Sequence, residues 1–116
     1  MTENKIYQMS LSSIFPLYVA KVQKKGKTIA ELHEIIEWLT GYSSNAISQI
    51  VTSEITLRDF FKDAPKLNPK RRLIKGIICG VRVEDIDEPL LQEIRYMDKM
   101  IDELARGKLM ASILRQ

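Results

Sequence analysis

The chain is poor in the residues that carry metal-binding, disulfide and catalytic chemistry. Its 116 residues include 1 cysteine, 1 histidine and 1 tryptophan. A single cysteine excludes a disulfide framework and any zinc site built from several thiolates, and it is typical of a reducing compartment. We therefore expect no metal site and no cofactor.

Long hydrophobic runs are also absent. No apolar stretch approaches the roughly 20 residues that a membrane helix needs, and residues 1–7 lack the apolar core of a secretion signal. We expect a cytoplasmic protein with no membrane contact. Internal repeats, linkers and low-complexity tracts are missing, so the length predicts one domain over residues 1–116.

Apolar residues recur at helical spacing along most of the chain, which predicts an all-α bundle of five to seven helices. The predicted helices begin near Ser12 or Ser13, Thr28, Ser43 or Ser44, Thr56, Pro69 and Pro89, and a terminal turn or short helix follows Gly107. Most of these residues are good N-caps, and Thr28 with Glu31 forms a capping box. Pro16 is expected in the first turn, where proline is tolerated. The helix from Pro89 to about Arg106 is the longest.

The stretch after Asn68 is the most unusual. Asn68 and Pro69 suit the start of a helix, which predicts a fifth helix from Pro69 to about Cys79 or Val81. Cations would then crowd an end where the macrodipole disfavours them. Residues 82–87 are predicted as a connector, because a lone strand has nothing to pair with.

The cations of that stretch form a candidate anion-binding site, because cations around the free N–H groups of a helix start can bind phosphate. The candidate residues are Lys70, Arg71, Arg72 and Lys75. They can equally be solvated or paired with the acidic C-terminal helix. Residues 1–83 hold 13 basic against 7 acidic residues, and residues 84–116 hold 5 against 8.

Two further features bear on binding. Lysines near the end of the first helix are favoured by the helix dipole, so we expect them to be solvated; they are Lys21, Lys24, Lys25 and Lys27. Five other residues are candidates for partner binding. They are Trp38 and Tyr42 near the end of the second helix, Gly76 and Gly80 on one face of the predicted fifth helix, and Tyr96 on the broad apolar stripe of the longest helix.

Catalytic groups are not arranged in any familiar pattern. His33 is interpreted as a boundary residue of the second helix, since a general base also needs an orienting partner. Cys79 is predicted to be buried among aliphatic residues and chemically quiet. The carboxylates of residues 84–88 precede a helix, so we interpret them as caps rather than metal ligands. We therefore expect a protein that is not an enzyme.

Residues 28–51 match the outline of a DNA-binding helix-turn-helix motif. The would-be recognition helix has Asn45 and Gln49 for base edges but no arginine or lysine for phosphates. Glutamates on the preceding helix would repel DNA. Sequence-specific DNA binding is not favoured.

Several segments together resemble one known family. They are Tyr7-Gln8-Met9-Ser10, Tyr18-Val19-Ala20-Lys21, Trp38-Leu39-Thr40-Gly41-Tyr42, Ile78-Cys79-Gly80-Val81-Arg82-Val83-Glu84, Glu93-Ile94-Arg95-Tyr96 and Asp102-Glu103-Leu104-Ala105. The chain resembles the domain-of-unknown-function family numbered twenty-two hundred over almost its whole length. The resemblance implies a small soluble bacterial protein without assigned activity, so it transfers no functional residue.

Two hypotheses follow for function. The first is a non-enzymatic helical interaction module, as a homodimer or bound to a protein partner. The second is a nucleic-acid or anion-binding protein that uses the basic helix start from Lys70 to Lys75. Phosphate-driven binding must weaken steeply with salt, which separates the two.

Overall fold

The computed structural model describes residues 5–115, in which six α-helices surround one apolar core. They are α1 Leu11–Gln23, α2 Ile29–Thr40, α3 Ser44–Ile50, α4 Leu57–Lys62, α5 Pro89–Ala105 and α6 Met110–Ile113. The 3-10 turns in this range are Lys5–Gln8, Pro69–Leu73 and Val83–Asp85, and the strands are β1 Ile77–Ile78 and β2 Val81–Arg82. The prediction of a helical bundle with its longest helix near the C-terminus is confirmed. No helix within this range has the length and apolarity of a membrane span.

Local capping sets where the helices begin. The side chains of four residues each accept a hydrogen bond from a backbone N–H three residues further on; they are Ser10, Thr28, Ser43 and Thr56. The capping box of Thr28 and Glu31 is present. The predicted starts of α2, α3 and α4 are therefore confirmed.

The start of α1 was predicted too late. Ser10 is its N-cap, because residues 9–11 are held extended by backbone bonds from Leu11 N–H to Ile55 O and from Leu57 N–H to Met9 O. Pro16 therefore lies inside the helix and not in its first turn.

The central helix is α5, which contacts α1, α2, α4, α6 and the β1 strand. Most of its apolar residues are buried, including Ile94, Met97, Met100, Ile101 and Leu104, whereas Leu90 and Leu91 are half-buried. Most of the broad apolar stripe on this helix therefore packs against the rest of the chain.

A row of polar contacts joins α1 and its preceding turn to α5. Tyr7 Oη donates to Glu88 at 2.5 Å, and Tyr18 Oη donates to Asp98. Lys21 Nζ lies 3.0 Å from Asp102 Oδ1. The partners advance together along both segments, so α1 and α5 run parallel and end on the same side of the molecule.

Residues 69–82 do not form the predicted fifth helix. Pro69–Leu73 is a single 3-10 turn, and β1 pairs with β2 in an antiparallel hairpin. Cys79 and Gly80 form its two-residue turn with φ values of 52° and 80°. Positive φ at both positions is the signature of a type I′ turn, whose twist matches the flanking strands. The β-branched residues Ile77, Ile78 and Val81 on either side of Cys-Gly outweighed the capping signal of Asn68 and Pro69.

The hairpin also overturns the predictions that assumed a helix here. Cys79 is exposed, not buried, because it lies in the turn at the tip of the hairpin. Gly76 and Gly80 do not share a helical face. A Cβ at Gly80 would meet no atom within 4 Å, so Gly80→Ala would be unfavourable because of the φ of 80° and not because of close packing.

The segment after α4 closes the C-terminal end of α2. Lys66 N–H donates to Thr40 O and Asn68 N–H donates to Leu39 O, both at 3.0 Å. These bonds satisfy carbonyls that a helix end leaves without partners. Gly41 has a φ of 82°, and a Cβ there would lie 2.8 Å from Lys66 N. The chain is therefore firmly placed just before the basic residues 70–72.

Candidate functional site

The four predicted anion-binding residues do not form one site. Arg71 Nε donates to both carboxylate oxygens of Glu93 at 2.9 Å, and Arg72 Nη1 donates to Gln92 Oε1 at 3.2 Å. Arg71 is thus paired with the acidic C-terminal helix. Such pairing is one of the two alternatives to anion binding that the sequence left open. Lys70 and Lys75 are exposed, and their side chains form no hydrogen bond or ion pair within residues 5–115, although the charge of Lys75 helps to lower the pKa of Glu84. No α-helix starts at Pro69, so the phosphate-binding helix start lacks its structural basis.

Two of the five predicted partner-binding residues are core residues. Tyr96 is 2% exposed, and Tyr42 is buried with its Oη donating to Phe60 O at 2.7 Å. Burial raises the pKa of Tyr42 to about 12. Their burial leaves neither side chain available to a partner.

The other three partner-binding candidates are more accessible. Trp38 is half-buried and lines a shallow cleft together with Lys66 and Lys70. Gly80 is exposed at the hairpin tip, and Gly76 lies beside the Lys99 side chain. For these three, partner binding stays a prediction.

His33 links two helices. Its Nδ1 lies 2.7 Å from Ser44 Oγ, and its ring meets the edge of Phe15 with centroids 5.8 Å apart. Partial burial lowers the pKa of this histidine. Within residues 5–115, no three His, Cys, Asp or Glu side chains are placed to hold a metal ion together.

A groove of about 1020 Å³ lies between the ends of α1 and α5. We name it the lysine groove. Its lining residues are Leu17, Ala20, Lys21, Lys24, Lys25, Lys27, Asp102, Ala105, Arg106 and Gly107. It brings together all four lysines that the sequence placed at the end of the first helix.

The two helices beside this groove end in the same way. Gly26 and Gly107 have φ values of 80° and 88°. Lys27 N–H donates to Val22 O and Lys108 N–H donates to Glu103 O, which is the longer bond of a Schellman motif in each case. Because the helices are parallel, both dipoles direct their negative ends here and favour the neighbouring cations.

Asp102 is the one carboxylate that lines the groove. Lys21 Nζ lies 3.0 Å from its Oδ1, and Arg106 Nε donates to its Oδ2 at 2.7 Å. Partial burial opposes ionisation, but these two cations hold the pKa of Asp102 below its usual value. The side chains of Lys24, Lys25 and Lys27 have no hydrogen bond or ion pair with any described residue. The groove therefore carries uncompensated positive charge.

A second cleft lies between α4, the 3-10 turn Pro69–Leu73 and the start of α5. It contains Arg71 and Arg72, which were predicted, and Arg58 and Lys62, which were not. A signal for the second pair was present, because residues four apart share one face of a helix. Leu17 and Arg106 of the lysine groove were also missed, since only the fold brings α1 and α5 together.

Comparison with known proteins identifies relatives. The family model for domain of unknown function 2200, described as an uncharacterized protein conserved in bacteria, matches residues 5–115. The chain is 41% identical to the uncharacterized protein SP1917, whose crystal structure superposes with a TM-score of 0.91. The match covers 97% of this chain and 93% of that one. No curated protein matches the chain. The protein belongs to this family of uncharacterized proteins conserved in bacteria, as the resemblance of its motifs implied.

Proposed function

We propose that the protein is a non-enzymatic interaction module whose lysine groove binds an acidic segment of a partner protein. The observation that carries this proposal is an exposed apolar surface directly beside unpaired cations. Leu17 is 66% exposed in the groove, and Ala20 is exposed beside it. Lys24, Lys25 and Lys27 surround them.

The helix dipoles alone account for part of this arrangement. They favour lysine at the ends of α1 and α5 whether or not anything binds there. They do not involve Leu17, whose exposed side chain adds apolar surface among those lysines. A partner segment with carboxylates around one apolar side chain would pair with the ammonium groups and cover Leu17.

A protein segment fits this surface better than a nucleic acid does. Proteins that bind single strands combine cations with aromatic side chains on which bases stack. The residues that line the lysine groove include no aromatic side chain. An apolar floor of leucine and alanine instead suits an aliphatic side chain.

The test is binding of a fluorescent 16-residue peptide that contains only glutamate and leucine. We expect Lys24→Glu with Lys25→Glu to weaken binding at least about tenfold, which corresponds to the loss of roughly 1.4 kcal/mol. The matched control is Lys70→Glu with Lys75→Glu, which changes the net charge equally at two exposed lysines outside the groove. The control should change the affinity less than about twofold.

Leu17→Ser tests the apolar part of the surface. We expect this variant to weaken peptide binding also at high salt, where screening has removed most of the charge attraction. Equal losses in the two double variants would contradict the proposal, since they would show attraction to net charge alone. Tighter binding of a mixed-sequence RNA than of the peptide would favour the nucleic-acid alternative, and salt-independent dimers disrupted by Leu17→Ser would identify a second copy as the partner.

A further inference from the structure

The second cleft has the build of a small-ligand site. Its volume is about 590 Å³, within the roughly 300–1,000 Å³ typical of ligand pockets. We name it the arginine cleft. Its lining residues are Arg58, Phe61, Lys62, Leu67, Arg71, Arg72, Pro89, Leu90, Gln92 and Glu93.

Arg71 is held rigidly in this cleft. Its Nε donates to both oxygens of Glu93, and its Nη1 donates to Asn68 O at 2.9 Å. Its Nη2 donates to no described residue. Every solvent-excluded side-chain nitrogen and oxygen in the described chain has a partner, so the unpaired Nη2 of Arg71 must reach solvent. A planar guanidinium fixed on two sides leaves one edge ready for an incoming anion.

Two more arginines of the cleft are also positioned by contacts. Arg72 Nη1 donates to Gln92 Oε1, and Gln92 Nε2 donates in turn to Val83 O at 3.1 Å. The guanidinium carbon of Arg58 lies 5.5 Å from the centre of the Tyr7 ring. Such contacts restrict the side chains before any ligand arrives, which lowers the entropy lost on binding.

The charge of the cleft is strongly positive. Four cations line it against one carboxylate, that of Glu93, and this carboxylate is engaged by Arg71. Glu88 stands next to Pro89 at the margin, where it accepts a hydrogen bond from Tyr7. Lys62 and Arg72 have no carboxylate partner among residues 5–115, so positive charge remains in the cleft after Arg71 pairs with Glu93.

The rest of the cleft is apolar. Phe61, Leu67, Pro89 and Leu90 contribute carbon surface to its lining. An inorganic ion would leave this surface uncovered, whereas a neutral hydrocarbon would leave the cations without a partner. Only a ligand with both kinds of group complements the cleft.

We infer that the arginine cleft binds a small organic anion that carries a carboxylate or phosphate group on an apolar body. This inference concerns a different surface from the lysine groove, and it does not depend on the function proposed for that groove.

Calorimetric titration with four probes tests the inference: hexyl phosphate, hexanoate, hexanol and inorganic phosphate. We expect saturable binding of hexyl phosphate, hexanoate or both, and binding at least about tenfold weaker for hexanol and inorganic phosphate. The better of the two anionic probes identifies the headgroup. Equal binding of hexanol, or equal binding of inorganic phosphate, would overturn the inference.

Variants then place the site. Arg72→Gln and Lys62→Gln remove cleft cations that are exposed, so they leave the fold intact. We expect each to weaken binding of the preferred probe severalfold and the double variant at least about tenfold. The matched control is Lys24→Gln in the lysine groove, which should bind the probe like the parent protein. An unchanged affinity in the double variant, or an equal loss in the control, would refute the site.

Discussion

The two basic surfaces of this protein hold their cations in different ways. In the arginine cleft, Arg71 is fixed by Glu93 and Arg72 by Gln92. In the lysine groove, Lys24, Lys25 and Lys27 extend from helix ends without a partner among the described residues. The rigid guanidinium favours recognition of a defined planar group, whereas mobile ammonium groups attract negative charge with little geometric demand. One surface is thus suited to a small ligand and the other to a flexible acidic chain.

The backbone is also more tightly packed near the arginine cleft than near the lysine groove. Gly41 contacts the segment that leads to the arginine cleft, and its Cβ position is blocked by the backbone of Lys66. Gly26 borders the lysine groove, and the space around its Cβ position is open. Their φ values, 82° and 80°, are nearly equal. Comparing alanine variants at the two glycines therefore separates the cost of close packing from the cost of a left-handed backbone conformation.

The largest effect is expected for Gly41→Ala. A left-handed alanine costs about 1–2 kcal/mol, and overpacking against a backbone adds about 1–3 kcal/mol. Gly26→Ala should show only the first cost. Urea unfolding of the two variants measures the difference. Equal losses of stability would mean that the segment 66–68 moves aside easily, and the arginine cleft would then not be rigidly supported.

Glu93→Gln should have the next largest effect. The Arg71 and Glu93 side chains are 14% and 10% exposed, so the variant leaves a largely buried guanidinium without its counter-ion. We expect a loss of about 2–3 kcal/mol in the free energy of unfolding. The matched control is Glu34→Gln, because Glu34 is exposed and its side chain forms no hydrogen bond or ion pair with any described residue. If the control were destabilised as much as Glu93→Gln, the pair in the cleft would not be holding Arg71.

These differences show why the sequence predicted one part of the molecule better than another. The starts of α2, α3 and α4 depend on caps and stripes within a few residues, and they were predicted closely. Residues 69–82 carried two competing local signals, a helix start at Pro69 and a turn at Cys79-Gly80. The hairpin is closed by contacts such as Gly76 N–H to Glu84 Oε1, and its β1 strand packs on α5.

Prediction of the two basic surfaces was limited in the same way, because only residues close together in the sequence could be assigned to one surface. Lysines 21–27 were visible as a cluster because they lie on one helix end. The pairing of Arg71 with Glu93 joins residues 22 apart, and the approach of Arg106 to α1 depends on the parallel packing of two distant helices. No local pattern encodes either contact. Charge composition left pairing between the basic and acidic parts as one alternative, but it could not say which residues pair.

A smaller effect is expected from Asp102→Asn, and it depends on pH. The folded protein lowers the pKa of Asp102 from its usual 3.8, so the charged form stabilises the fold above that pH. This stability is lost as the pH falls below 3.8 through the folded pKa. At pH 7 we expect Asp102→Asn to cost about 0.5–1 kcal/mol, the upper range for partly exposed pairs. Thermal unfolding between pH 2.5 and pH 7 should show parent and variant converging at the acid end, and a constant difference would contradict the assignment.

We expect the smallest effect on stability from substituting Lys24 and Lys25, the two lysines whose substitution should strongly weaken peptide binding. Lys24→Gln with Lys25→Gln removes two exposed cations that pair with no described residue. Only the helix dipole opposes the change, and at an exposed helix end a cation contributes about 0.3–1 kcal/mol at low salt. At 0.5 M salt we expect the free energy of unfolding to match that of the parent within about 0.5 kcal/mol, whereas Arg71→Gln remains clearly destabilised because its pair is shielded from solvent. A loss in the lysine variant comparable to that of Arg71→Gln would mean that the lysine groove is part of the structural framework, and the distinction between a structural and an available set of cations would fail.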